Sequence, residues 1–156
     1  ADLIRLQLYG VPWSATGIDQ TYPTDYTRAQ TDLSADTSYH GQPGPDLEEA
    51  QMAFPIFNSV LKAAGEIPVI LVNEPVLISA GENSDLRYNF MYPRWAYDQW
   101  RSWMQEKADS AGWNYIDLWN LVPAGEFTNS AIHITPTGVR LVVEQLIPII
   151  EAQLCQ

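Results

Sequence analysis

From Ile67 to Val72 the chain reads Ile-Pro-Val-Ile-Leu-Val, a nearly continuous apolar run rich in β-branched residues, closed by Asn73-Glu74-Pro75. A short run of this kind suits a central parallel strand covered on both faces. Helical patterns flank it. Upstream, Asp46 stands as a cap before Leu47, Ala50, Ala53, Phe54, Phe57, Val60, Leu61 and Ala64, and Gly65 closes the series. Pro55 falls inside that pattern and predicts a kink or break. Downstream, residues 95 to 111 place Ala96, Trp100, Trp103, Met104 and Ala108 on one helical face, ended by Gly112. Residues 113 to 118 then read as a second strand. Strand and helix alternate, so the sheet is expected to be parallel with right-handed crossovers.

The last helix has the clearest start. Thr135 is a good N-cap, and Pro136 takes the first helical position, where its missing N–H costs nothing. Val139, Val142, Val143, Leu146, Ile147, Ile150 and Leu154 follow at helical spacing and are expected to face a core. His133, one of two histidines, precedes this helix on a short loop. A rigid helix packed behind a loop histidine is a suitable mount for a general base.

The string His133-Ile134-Thr135-Pro136-Thr137-Gly138 resembles the last characteristic block of the SGNH/GDSL hydrolases, in which the catalytic histidine is followed by a small polar residue, Pro and Gly. Gly65 to Pro75 resembles that family's fourth strand, and Gly112-Trp113-Asn114-Tyr115-Ile116-Asp117-Leu118 its fifth. Order and spacing agree over roughly residues 50 to 150. The resemblance implies a three-layer α/β/α, flavodoxin-like fold with a parallel sheet, here incomplete at its N-terminal side. No Gly-Asp-Ser nucleophile motif and no Gly-x-Asn-Asp occurs in the chain, which looks like the C-terminal part of such a domain. The family usually carries an aspartate three residues before the histidine; here that position is Ser130, and Asn129 stands one residue earlier, where some members carry the acid. By resemblance the activity would be hydrolysis or transfer of acyl or acetyl esters, including those of carbohydrate, in a bacterial, secreted or cell-envelope setting.

Composition narrows the alternatives. A net charge of −11 argues against nucleic acid or an anionic membrane as partner, since both require a basic face. The lone Cys155 excludes an intrachain disulfide, and no apolar run is long enough for a transmembrane segment. Two distant histidines and one terminal cysteine offer no metal-ligand spacing, and no phosphate loop or dinucleotide fingerprint appears, so no cofactor is expected. The chain reads as one domain over residues 1 to 156, or part of one, and its opening on Ala1 fits origin in a larger parent protein. Residues 1 to 18 mix strand and helix signals, with a helix covering the sheet the expectation. Residues 19 to 46 show no periodicity and form a long irregular segment with His40 near its end.

Chemistry concentrates in two places. At the histidine, Asn129, Ser130 or Glu126 must orient the imidazole; only Glu126 would add the negative charge that stabilises an imidazolium. The second place is the end of the first strand and the loop beyond it, where open α/β sheets put their ligands; Asn73, Glu74, Ser84, Arg87, Tyr88 and Arg94 are candidates to read a polar ligand. Ser79 and Ser84 do not sit on the strained strand-to-helix turn that activates a serine nucleophile. Three readings follow. The chain is the histidine-bearing part of an ester hydrolase or acyltransferase, inactive alone, whose serine lies on a preceding segment or a second chain. Or it is a non-catalytic glycan or polyol-binding module of the same fold. Or it is an assembly piece whose free sheet edge pairs with another chain.

Overall fold

The computed structural model describes residues 27 to 154, with Gly10 and Ala15. The helix expected over residues 1 to 18 otherwise lies outside the described residues. From residue 27 the elements are a tight 3-10 turn at Glu49–Gln51, helix α1 (Pro55–Ala64), strand β1 (Leu71–Asn73), helix α2 (Arg94–Ala111), strand β2 (Tyr115–Asp117), a second 3-10 turn at Ala124–Glu126, and helix α3 (Pro136–Leu154). The chain is therefore mixed α/β, and β1 and β2 pair in parallel with Leu71 opposite Tyr115, Val72 opposite Ile116 and Asn73 opposite Asp117.

Pro55 decides the first helix. Its nitrogen has no proton to give and its ring crowds the preceding turn, so the pattern that began at Leu47 breaks, and Pro55 starts α1 instead. Gly65, at φ 60°, ends it. Helix α2 ends on Gly112 in the left-handed conformation (φ 68°), and it buries Ala96, Tyr97, Met104 and Ala108. Thr135 caps α3: its Oγ1 accepts the Gly138 N–H at 3.2 Å.

Three expectations are corrected. The first strand is shorter than the apolar run, and it is not covered on both faces: Ile67 is 71% exposed and Val72 41%. Among the described residues β1 pairs with β2 alone. Helix α1 buries none of its residues, with Ile56 and Val60 exposed. Helix α3 carries two apolar stripes and only one meets the core: Val142 packs inward, whereas Val139, Val143, Ile147 and Ile150 are exposed. The described residues hold a two-stranded parallel sheet and three α-helices.

The core lies beyond the carboxyl ends of the strands. Leu77, Val122, Phe127 and Ala131 form one buried cluster, with Ile134 and Val142 against it. Val76, Tyr88 and Tyr97 form the other, with Trp100, Trp119 and Ile132 against it. The segment after β1 threads between them: Val76 N–H donates to Trp119 O at 3.0 Å, and Leu77 N–H to Ala131 O at 2.7 Å. The irregular stretch from residue 27 onward is tied to the loop of residues 79 to 94 through Leu33 N–H to Glu82 O (2.9 Å) and Asn83 Nδ2 to Leu33 O (2.8 Å), to α2 through Trp95 Nε1 to Thr37 O (2.7 Å), and to the segment before His133 through Ala29 N–H to Thr128 O (2.8 Å).

Candidate functional site

The histidine loop is closed at its base. Phe127 and Ile134 form an antiparallel bridge; Thr128 N–H donates to His133 O and Thr135 N–H to Glu126 O, both at 2.8 Å. Ala131, fully buried, anchors the loop's middle through its bond from Leu77. With its backbone pinned on both sides, His133 holds its side chain outward and exposed. Its Nδ1 lies 3.3 Å from Asn129 Oδ1. An amide oxygen can only accept, so the contact is a hydrogen bond when Nδ1 carries the proton, the tautomer that leaves the Nε2 lone pair free.

The three candidate orienting residues thus separate. Asn129 meets the ring. The Ser130 hydroxyl accepts the Ile132 N–H at 3.2 Å, a turn contact. The Glu126 carboxylate accepts the Thr135 hydroxyl and so braces the α3 cap rather than the imidazole.

The residues following β1 line a cavity of about 510 Å³ together with Tyr39, Tyr92, Tyr97, Trp100 and Ile132. Ile132 joins it to the histidine loop, although His133 itself lies outside the lining. Asn73 sits in its wall, buried, and its amide is committed: Nδ2 donates to Tyr97 Oη at 3.1 Å and to Asp117 Oδ1 at 2.9 Å. Asp117 in turn receives Arg101 through Nε (2.9 Å) and Nη2 (2.7 Å), and that guanidinium lies 4.1 Å from the centre of the Trp119 ring. Glu74 is exposed at the cavity's edge. Burial pushes the Tyr97 hydroxyl far above its ordinary pKa, and it raises Tyr92, where Tyr39 and the charge of Glu74 add to the effect. On β2, burial and then Asp117 push Tyr115 up to about 12.

The other polar residues proposed as ligand readers are turned to structural use. The buried Arg87 guanidinium donates to four backbone carbonyls, those of Asp36, Ser38, Asn89 and Phe90. Arg94 donates to the Ser84 carbonyl at 2.7 Å and covers the Tyr88 ring at 4.3 Å, while the Tyr88 hydroxyl donates to Asp98 at 2.7 Å. These contacts tie the loop to itself and to the segment before it. The aromatic lining escaped the sequence reading because Trp100 shares helical spacing with true core residues, and Tyr39 lies in a stretch with no period at all.

Among the described residues no group of three His, Cys, Asp or Glu is gathered to hold a metal ion, and no helix is long and apolar enough to cross a membrane. No protein-family model matches the chain, and neither a curated protein nor a solved structure matches it.

Proposed function

We propose that this chain is the histidine-bearing part of an SGNH-like esterase or acyltransferase acting on acyl or acetyl esters. The observation that carries the reading is the His133 Nδ1 to Asn129 Oδ1 contact, which frees Nε2 on an outward-facing ring at the carboxyl side of a parallel sheet. In the step proposed, Nε2 takes the proton of a serine hydroxyl as its oxygen bonds to the ester carbonyl carbon. The resulting imidazolium returns that proton to the departing alkoxide; water, or an acceptor alcohol, then releases the acyl group by the same route. Metal and cofactor have no part in this reading.

The serine is assigned to a preceding segment or a second chain, because neither Ser79 nor Ser84 follows a strand on the strained strand-to-helix turn that activates a serine. Ser79, for one, is buried and donates to the Thr31 carbonyl. The bare edge of β1 and the exposed Val72 support further strands joining there. Asn129 orients the ring but adds no charge, so the imidazolium gains less than it would beside a carboxylate. The test is p-nitrophenyl acetate hydrolysis by the longest natural polypeptide carrying this chain. His133→Ala is expected to lower kcat by about 10² to 10⁴, the range for loss of a general base, and Asn129→Asp to raise it. Turnover unchanged by His133→Ala would overturn the proposal.

A further inference from the structure

We infer that the cavity beyond β1 is a binding site for a small primary ammonium with an apolar body, such as an arylalkylamine. The inference stands apart from the ester reading, because His133 is not among the lining residues. Its starting point is charge. Glu74 is the one charged side chain in the wall, and no Lys, Arg or His lines it. Among the described residues Glu74 makes no ion pair and accepts no hydrogen bond, and the Tyr39 and Tyr92 hydroxyls have no hydrogen-bond partner. The Tyr39 and Tyr92 ring centroids lie 6.5 Å apart. Burial, then Tyr39, then the Glu74 charge raise the pKa of Tyr92, so the carboxylate stands within electrostatic reach of that phenol. One carboxylate and two phenol oxygens are acceptors for the three N–H donors of a primary ammonium.

The rest of the wall sets what the ammonium is attached to. Val72, Val76, Ile132, Tyr97 and Trp100 give it an apolar and aromatic lining. The Asn73 amide in that wall is already bonded to Tyr97 and Asp117, so little is left there to read a polar body. Elsewhere in the same aromatic cluster the protein supplies its own cations: Arg94 lies 4.3 Å from the centre of the Tyr88 ring, and Arg101 4.1 Å from that of Trp119. Among the described residues Tyr39, Tyr92, Tyr97 and Trp100 have no such cation, and a ligand from solution would supply it. Other charges fit less well. An anion would enter against Glu74 with no cation to meet it. A hard metal ion, which takes about six oxygens, would find a single carboxylate. The volume of about 510 Å³ falls in the range of small-molecule pockets.

The experiment is an NMR titration of the same polypeptide, following the Trp100 indole N–H, with three probes of similar shape and different charge: phenethylammonium, phenethyl alcohol and phenylacetate. The ammonium is expected to saturate the shift and to bind about fivefold tighter than the alcohol, the upper end for a solvent-exposed ion pair, with phenylacetate weakest. Glu74→Gln, at an exposed position, is expected to erase that preference while the alcohol binds as it does to the parent, which reports an intact cavity. The inference is overturned if the ammonium gives no saturable shift, if it binds no tighter than the alcohol, or if its preference over the alcohol survives Glu74→Gln. None of these outcomes touches the ester reading, which fails only if hydrolysis survives His133→Ala.

Discussion

Arg87 is the residue at which a ligand-reading and a structural account diverge most. The residue is 7% exposed, and the partners of its guanidinium are carbonyls, not a carboxylate. Two of them, Asp36 and Ser38, belong to the irregular segment, and two, Asn89 and Phe90, to its own loop. Replacement by Met keeps most of the apolar stem and removes every donor. A hydrogen bond to a charged group is worth about 1.5–3 kcal/mol, and the near bond to Asp36 earns that range. The 3.5 Å contact to Ser38 and the two local bonds at 3.2 Å add roughly 0.5 kcal/mol each at the low end for ordinary hydrogen bonds. The loss is then about 3–4.5 kcal/mol, or roughly 10 °C or more in Tm for a domain of this size. Thermal unfolding followed by circular dichroism, with hydrogen exchange over residues 29 to 39, measures it. Arg87→Met should also expose those amides, whereas Arg94→Met, with one bond and one ring contact to lose, should cost about half as much. The reasoning is refuted if Arg87→Met leaves Tm within about 3 °C of the parent and abolishes turnover or ammonium binding.

Two further predictions follow from packing and protonation. A Cβ at Gly138 would stand 2.9 Å from Ile134 Cβ and 3.2 Å from Val122 Cγ1, so Gly138→Ala should cost about 1–3 kcal/mol by overpacking and shift the His133 resonances, read by thermal melts and NMR; an unshifted loop at full stability would contradict this. Tyr88, Tyr92, Tyr97 and Tyr115 all have pKa values raised in the fold, chiefly by burial. Their contribution to stability is complete below the unfolded value near 10 and is lost as pH climbs through the folded values, about 12 for Tyr115. Tyrosinate absorbance should therefore lag behind free tyrosine until circular dichroism reports alkaline unfolding; all tyrosines titrating together near 10 in an intact fold would refute it.

Local rules were legible where one side chain carries out one backbone task. Thr135 caps, Pro136 opens the helix, and Gly138 stands where a Cβ would crowd Ile134 and Val122, so these three letters each have a physical cause. The ends of α1 and α2 were readable for the same reason, through Gly65 and Gly112 at positive φ. What covers an apolar surface was not legible. Val139 and Val142 look equally core-like in sequence, and only the packing of residues distant in the chain separates the exposed one from the half-buried one. The polar loop was misleading in a related way: Arg87, Tyr88 and Arg94 have the composition of a binding site, yet their partners are carbonyls and a carboxylate of the fold itself. Asn129 against Ser130 and Glu126 was undecidable from spacing, since all three lie within reach of a loop whose path was unknown.

The account stands on how the imidazole of His133 is held. Long-range ¹⁵N–¹H NMR of the neutral side chain reads which nitrogen carries the proton. The expected result is the Nδ1–H tautomer, reverting toward the Nε2–H form of free histidine in Asn129→Ala while the fold stays intact. An Nε2–H tautomer in the parent chain, unchanged by Asn129→Ala, would contradict the assignment of Asn129 as the orienting group and of Nε2 as the base.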